Sequence, residues 1–152
     1  MKISVDTREL ARTSADWIAI PLTQNERSAP RLTARIALLD ENLGGCIRAS
    51  LERNGFEGRR NEKLAIFPPA ARTRRAPGKR ILLVGLGKTA KLDLEGLRQA
   101  AGTAVRHAAL KKARTLAIAV PSFGRIKPAA AAQALAEGAV LGDYRFDRYR
   151  SP

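Results

Sequence analysis

The stretch "ILLVGLGKTA", residues 81–90, decides how this chain is read. Four apolar residues run into Gly85-Leu86-Gly87-Lys88 and a threonine, the order in which a buried strand can lead into a phosphate-binding loop. A P-loop needs G-x-x-x-x-G-K-[ST], and its first glycine would fall at 82, where leucine stands. The dinucleotide fingerprint G-x-G-x-x-[GA] is formally met by Gly85, Gly87 and Ala90. That loop should open directly into a helix whose N-terminus holds the pyrophosphate. Here "KTAKLD" intervenes before Asp93, the expected cap of the next helix, and the strand that follows ends in "VPSFGR", with no acid for a ribose. The glycines therefore predict a turn or a close backbone approach at the end of a buried strand.

Working outward, five segments read as strands: 2–5 (KISV), 16–22, 63–67, 80–86 and 115–121. The last two are continuously apolar, as interior strands covered on both faces should be. Three segments read as helices. The first spans 40–53, with Asp40 as its N-cap and Asn54-Gly55 as its stop. The second runs from Asp93 to Lys112, with Leu94, Leu97, Ala101, Ala104, Val105 and Ala108 on one face. The third starts near Pro128. Only twelve residues, 68–79, join the third and fourth strands, and they carry no helical pattern, so these two strands should be antiparallel neighbours. The fold class expected is α/β, with a mixed central sheet of about five or six strands flanked by helices.

A chain of 152 residues is long enough for one domain with a real core. One cysteine, Cys46, excludes an internal disulfide framework, and no segment is long and apolar enough to be a signal peptide or to span a bilayer, so a cytoplasmic protein with no membrane partner is expected. The net charge of +14 is unevenly spread. Residues 1–58 are balanced at eight basic and eight acidic side chains, whereas residues 59–152 carry 20 basic against six acidic. Such a surface attracts polyanions, or serves solubility alone. The densest cluster is Arg72, Arg74, Arg75, Lys79 and Arg80, the candidate nucleic-acid contacts, with Lys88, Lys91, Lys111, Lys112 and Arg114 as an extension if they share its face.

No catalytic, metal or cofactor residue is assigned. With one histidine and one cysteine, no zinc site of the usual nitrogen and sulfur type can be built in one chain, and the serine nucleophile patterns are absent. His107 reads as a solvated or half-buried bystander, and Cys46 and Trp17 as core. Asp143 and Asp147, among Arg145, Arg148 and Arg150, read as ion-paired surface.

Three segments together, "ILLVGLGK", "LDLEGLRQAAGTAVRHA" and "AAAAQALAEGAVLGDYRFDRYRS", resemble the N-terminal domain of leucyl aminopeptidases, the cytosol aminopeptidase family. The likeness is clearest from Lys79 to Ser151 and weak before Leu38, and its most specific element is the segment from Gly138 to Tyr149. The resemblance implies a macro-domain-like, three-layer fold over residues 1–142, with 143–152 beginning a helical linker to a catalytic C-terminal domain. It implies a parent that releases N-terminal amino acids with two divalent metals, manganese or zinc, held in that second domain. None of the family's catalytic or metal-binding positions has a counterpart here, so this chain alone is expected to be inactive, with roles in assembly of a homo-hexamer and in access to the active site. The resemblance makes "GLGK" a structural turn, with a vestigial nucleotide pocket near Gly85–Lys88 as the alternative. A DNA-binding accessory role through the basic surface, or a stand-alone macro-like nucleotide binder, are the competing functions. Tyr144, Phe146 and Tyr149 are expected to form an interface for the second domain.

Overall fold

The computed structural model describes residues 1–26, 32–69, 80–123 and 125–148. Four strands form one mixed sheet: β1 (Trp17–Leu22), β2 (Lys63–Ile66), β3 (Arg80–Gly85) and β4 (Leu116–Ile118), in the order β2-β3-β1-β4. β1 pairs in parallel with β3, Trp17 opposite Arg80 and Leu22 opposite Gly85, and in parallel with β4, Trp17 opposite Leu116. β2 pairs antiparallel with β3, as the short connection predicted. Four helices complete the described residues: α1 (Ala34–Asn42), α2 (Cys46–Asn54), α3 (Leu94–Leu110) and α4 (Pro128–Arg148).

Alternation along β1 and β3 sends their side chains into two cores. On one face Ile18, Ile20, Leu22, Ile81 and Leu83 pack with Ile36 and Leu39 of α1 and Ile47 and Leu51 of α2. On the other, Trp17, Ala19, Leu82 and Val84 pack under Leu97, Ala101 and Ala104 of α3 and Ala131, Ala134 and Leu135 of α4. Each Leu or Ile buried this way contributes about 1.5–3 kcal/mol, so a continuously apolar strand covered twice anchors the fold. The alanine-rich helices reach the sheet and each other closely; a Cβ at Gly138 of α4 would collide with the Arg98 carbonyl of α3.

Several expectations need correction. Residues 2–5 are exposed and form no strand, because no strand edge meets them; the sheet has four strands among the described residues, not five or six. The strand expected over 115–121 is only three residues long, lies at the sheet edge and is half-buried, since among the described residues it pairs with β1 alone. The helix expected over 40–53 is α2 from Cys46 on; its first residues are the end of α1, which starts at Ala34 and was not expected as a helix. Gly44 and Gly45, at φ of 70° and 80°, take left-handed backbone and separate the two. Asp40 therefore lies inside α1, and its buried carboxylate caps α2 from outside: Oδ1 accepts from the Ile47 N–H at 2.7 Å, and Oδ2 sits 3.9 Å from Arg48. Asp93 caps α3 as expected, accepting from the Gly96 N–H at 2.8 Å. At the other end of α3, Lys112 takes left-handed backbone (φ 57°) while Lys112 N–H and Ala113 N–H donate back to the Ala109 and Ala108 carbonyls, closing the helix.

Candidate functional site

In an open α/β sheet a ligand normally enters the crevice beyond the carboxyl ends of parallel strands, where neighbouring connections leave toward opposite faces. Here that place lies between β1 and β3. The chain after β1 continues to α1 and α2 on one face, and the chain after β3 to α3 on the other. Gly85-Leu86-Gly87-Lys88 sits at this point, and so do Thr23 and Gln24.

The crevice is filled by the protein itself. The Gly85 N–H donates to the Glu62 carbonyl at 2.7 Å, the Leu86 N–H to Leu22 at 2.9 Å, and the Gly87 N–H to Gly58 at 2.8 Å. The Gln24 N–H donates to the Gly87 carbonyl at 2.9 Å, and the Asn61 N–H to the Gly85 carbonyl at 3.1 Å. A phosphate cradle needs successive backbone N–H groups turned toward the ligand. The Gly85, Leu86 and Gly87 amides of this loop are already committed to carbonyls. The turn 57–62 plugs the space: a Cβ at Gly85 would collide with the Arg59 carbonyl, and one at Gly58 would lie 2.8 Å from the Thr23 carbonyl oxygen. The plug is itself braced. Glu62 accepts from the Glu57 and Arg59 N–H groups at 3.1 and 2.9 Å, and Arg60 donates to Gln99 Oε1 (3.1 Å) and Asp93 Oδ1 (3.2 Å) at the start of α3. Beyond the loop, Arg125 donates to the carbonyls of Thr89, Ala90 and Leu92, holding the 3-10 turn Thr89–Lys91.

The remaining candidates divide between the two ends of the sheet. Arg72, Arg74, Arg75 and Lys79 lie outside the described residues. Arg80 opens β3 and is exposed. Lys111, Lys112 and Arg114 share its end, because the turn after α3 is tied to the start of β1: the Arg114 and Thr115 N–H groups donate to Asp16 Oδ2 at 2.7 and 3.2 Å. Those two backbone bonds, and behind them the charges of Arg114 and Arg80, hold the Asp16 carboxyl below its ordinary pKa. Lys88 and Lys91 are at the opposite end, separated by the 17-residue α3, or roughly 25 Å of helix rise. They do not extend the cluster. Asp143 is half-buried; Phe146, Asp147 and the arginines around them have side chains outside the described residues.

His107 is a correction. It is buried, 9% exposed, with its ring 4.7 Å from that of Trp17 and nearly perpendicular to it. Neither His107 Nε2 nor Trp17 Nε1 has a hydrogen-bond partner among the described residues. Burial pushes the imidazole pKa down, with the charges of Lys63 and Lys111 adding to it. Sequence spacing placed His107 beside lysines but gave no sign that Trp17 would lie against it. Cys46 is buried as expected, its thiol donating to the Leu43 carbonyl. Among the described residues no three of His, Cys, Asp and Glu lie close enough to share a metal ion.

Residues 19–152 match the cytosol aminopeptidase family, N-terminal domain. The chain belongs to that family. It is 32% identical over 152 residues to a probable cytosol aminopeptidase of Alkaliphilus oremlandii, and 34% identical over 154 residues to one of Nostoc punctiforme. Each alignment takes in 99% of this chain but 29% of the relative. Among solved structures, a mutant of tomato leucine aminopeptidase superposes with a TM-score of 0.76 at 25% identity, covering 97% of this chain and 29% of that one. The bottromycin maturation enzyme BotP, in complex with Mn, gives 0.60 at 32% identity over 91% of this chain and 25% of its own. The match begins at 19, inside β1, earlier than the segments that carry the resemblance most clearly. No helix among the described residues is long and apolar enough to cross a membrane.

Proposed function

We propose that this chain is the non-catalytic N-terminal domain of a cytosolic metallo-aminopeptidase, with a macro-like layered fold. In this reading the parent removes N-terminal residues from peptides using two divalent metals, manganese or zinc, bound by a separate C-terminal domain. The observation that carries it is the family match over residues 19–152 by a chain spanning 29% of its relatives' length. The plugged crevice between β1 and β3 supports it further, since the one place where this sheet would take a nucleotide is occupied by residues 57–62. The same observation weighs against a stand-alone nucleotide binder.

The domain's own role is to shape access to the active sites and to help assemble a homo-hexamer. Its contact with the second domain would run along the far end of α4. That helix passes unbroken through 142 and 143, so a linker beginning at 143 would be its direct continuation. Val140, Leu141 and Tyr144 lie 53%, 56% and 65% exposed there, more apolar surface than a solvent-facing helix end needs.

The test is hydrolysis of a leucine anilide by the purified chain, with added manganese or zinc and with chelator. The expected result is no release of leucine under any condition. Metal-dependent release that chelator abolishes would overturn the proposal.

A further inference from the structure

The chain has four asparagines, at 25, 42, 54 and 61, and glycine follows only Asn54. An asparagine amide is lost when the next residue's backbone nitrogen attacks its Cγ, so that nitrogen must be uncommitted and uncrowded. Three of the four are guarded. Asn42 precedes Leu43, which is buried and whose N–H donates to the Leu39 and Asp40 carbonyls, both at 3.1 Å. Asn61 precedes Glu62, whose N–H donates to the Arg59 carbonyl at 2.9 Å. The Asn25 side-chain amide donates to Thr89 Oγ1 at 3.0 Å. Asn54 differs from all of them. It is exposed at the last position of α2, and Gly55 beyond it takes left-handed backbone (φ 60°), with open space where a Cβ would stand. No backbone carbonyl among the described residues accepts from the Gly55 N–H. The Asn54 side chain is restrained by Nδ2 donating to the Ser50 carbonyl at 3.0 Å, an exposed bond that water replaces at little cost.

We propose that Asn54 is a site of spontaneous deamidation, with Gly55 as the attacking group and water as the only co-reactant. The Gly55 nitrogen loses its proton and bonds to Asn54 Cγ, the bond from Cγ to Nδ2 breaks, and ammonia leaves carrying that proton. A succinimide ring remains. Water then opens one of the two carbonyl bonds to the ring nitrogen, and no electron is gained or lost. Opening at Cγ leaves aspartate on an unaltered main chain. Opening at the Asn54 main-chain carbonyl leaves isoaspartate, with the main chain now running through the side chain's methylene. The next residue but one, Phe56, is 4% exposed and packs in the core beneath α1 and α2, and the turn 57–62 follows it directly. An extra methylene between α2 and that anchor cannot leave both in place, so isoaspartate loosens the junction. Either product also removes the donor to the Ser50 carbonyl and sets a carboxylate at the negative end of the α2 dipole. The proposal is independent of the aminopeptidase reading.

The test is incubation of the folded 152-residue chain in mildly alkaline buffer, with its tryptic peptides followed by mass spectrometry. Cleavage after lysine and arginine puts each asparagine on its own peptide, Asn54 on residues 54–59. That peptide should lose its amide first, the other three staying intact when half of it has turned over. Isoaspartyl methyltransferase should label the product, and an Asn54→Gln chain treated alike should take no label. The same chain unfolded in guanidinium is the reference for an unguarded Asn-Gly pair. The separated isoaspartyl form should melt roughly 2–4 °C below the parent, the loss that uncapping one helix end produces in a chain of this size. The proposal is wrong if the folded chain keeps the Asn54 amide over the time in which the unfolded chain loses it, or if the Asn42 or Asn61 peptide turns over as fast. It is also wrong if the product is aspartate alone, which would mean direct hydrolysis without Gly55, or if the isoaspartyl form melts with the parent.

Discussion

Replacing Gly85 with alanine places a methyl group where the backbone of residues 58 and 59 already stands. The new Cβ would collide with the Arg59 carbonyl oxygen and lie 2.7 Å from the Gly58 carbonyl carbon, and neither is the yielding tip of a side chain. Relief requires the turn 57–62 to lift from β3. Forced overpacking costs about 1–3 kcal/mol. Lifting the turn also strains the bonds Gly85 N–H to Glu62 and Asn61 N–H to Gly85, each worth about 1 kcal/mol net. The sum is about 3–5 kcal/mol, a large part of a typical domain's stability. At roughly 2–4 °C per kcal/mol for a chain of this size, thermal melting by circular dichroism should show Tm falling by roughly 10 °C. Gly87→Ala is the control two residues on. Its Cβ has space, the nearest atom being Arg60 Cβ at 3.6 Å, and only the left-handed backbone (φ 82°) penalises it, by about 1–2 kcal/mol. A Gly85→Ala chain that melts within a degree or two of the parent, or no lower than Gly87→Ala, would refute the locked turn.

Two further outcomes follow from buried polar groups. His107 has a folded-state pKa below the ordinary 6.5 of free imidazole, so the unfolded chain takes up its proton first as pH falls. Its contribution to stability is therefore complete above about pH 6.5 and declines below it toward the folded-state pKa. Urea midpoints measured across this window should show that decline in the parent chain and lose it in His107→Gln; because the chain has one tryptophan and it touches His107, Trp17 emission should titrate with the same pKa, and an emission flat with pH would contradict the contact. Asp40→Ala should cost about 1–2 kcal/mol by uncapping α2, while Asp40→Asn, which keeps an acceptor for the Ile47 N–H, should recover most of it; equal urea midpoints for the two variants would show that charge rather than the cap matters.

The readable parts of this fold were those fixed locally. Ile81–Val84 and Trp17–Leu22 announced buried strands because both faces of the sheet are covered, and Asp93 announced a helix start because capping needs only its next few residues. The lack of a helical pattern in the sequence of residues 68–79 likewise pointed to the antiparallel pairing of β2 and β3. The failures came from partners distant in sequence. Nothing in "GLGK" names residues 58–62 as its plug, more than twenty positions earlier. The lysines at 88 and 111 look alike in sequence, and the length of α3 sets them at opposite ends. Gly44-Gly45 did carry a legible signal, two consecutive helix-weakening residues, but Asp40 read as the cap of one helix running through them to Asn54-Gly55. The strand expected at 2–5 had the right alternation, yet alternation alone supplies no neighbour to pair with.

The closing of the crevice between β1 and β3 is tested most directly by the backbone amides of Gly85, Leu86 and Gly87 themselves. Nuclear magnetic resonance of the labelled chain should find all three exchanging slowly with solvent, because each donates to a carbonyl inside the fold. Adding ADP-ribose, the anionic nucleotide such a crevice would suit, should leave their resonances unmoved. Fast exchange at these amides, with saturable shifts as ADP-ribose is added, would show an open phosphate site and contradict the account.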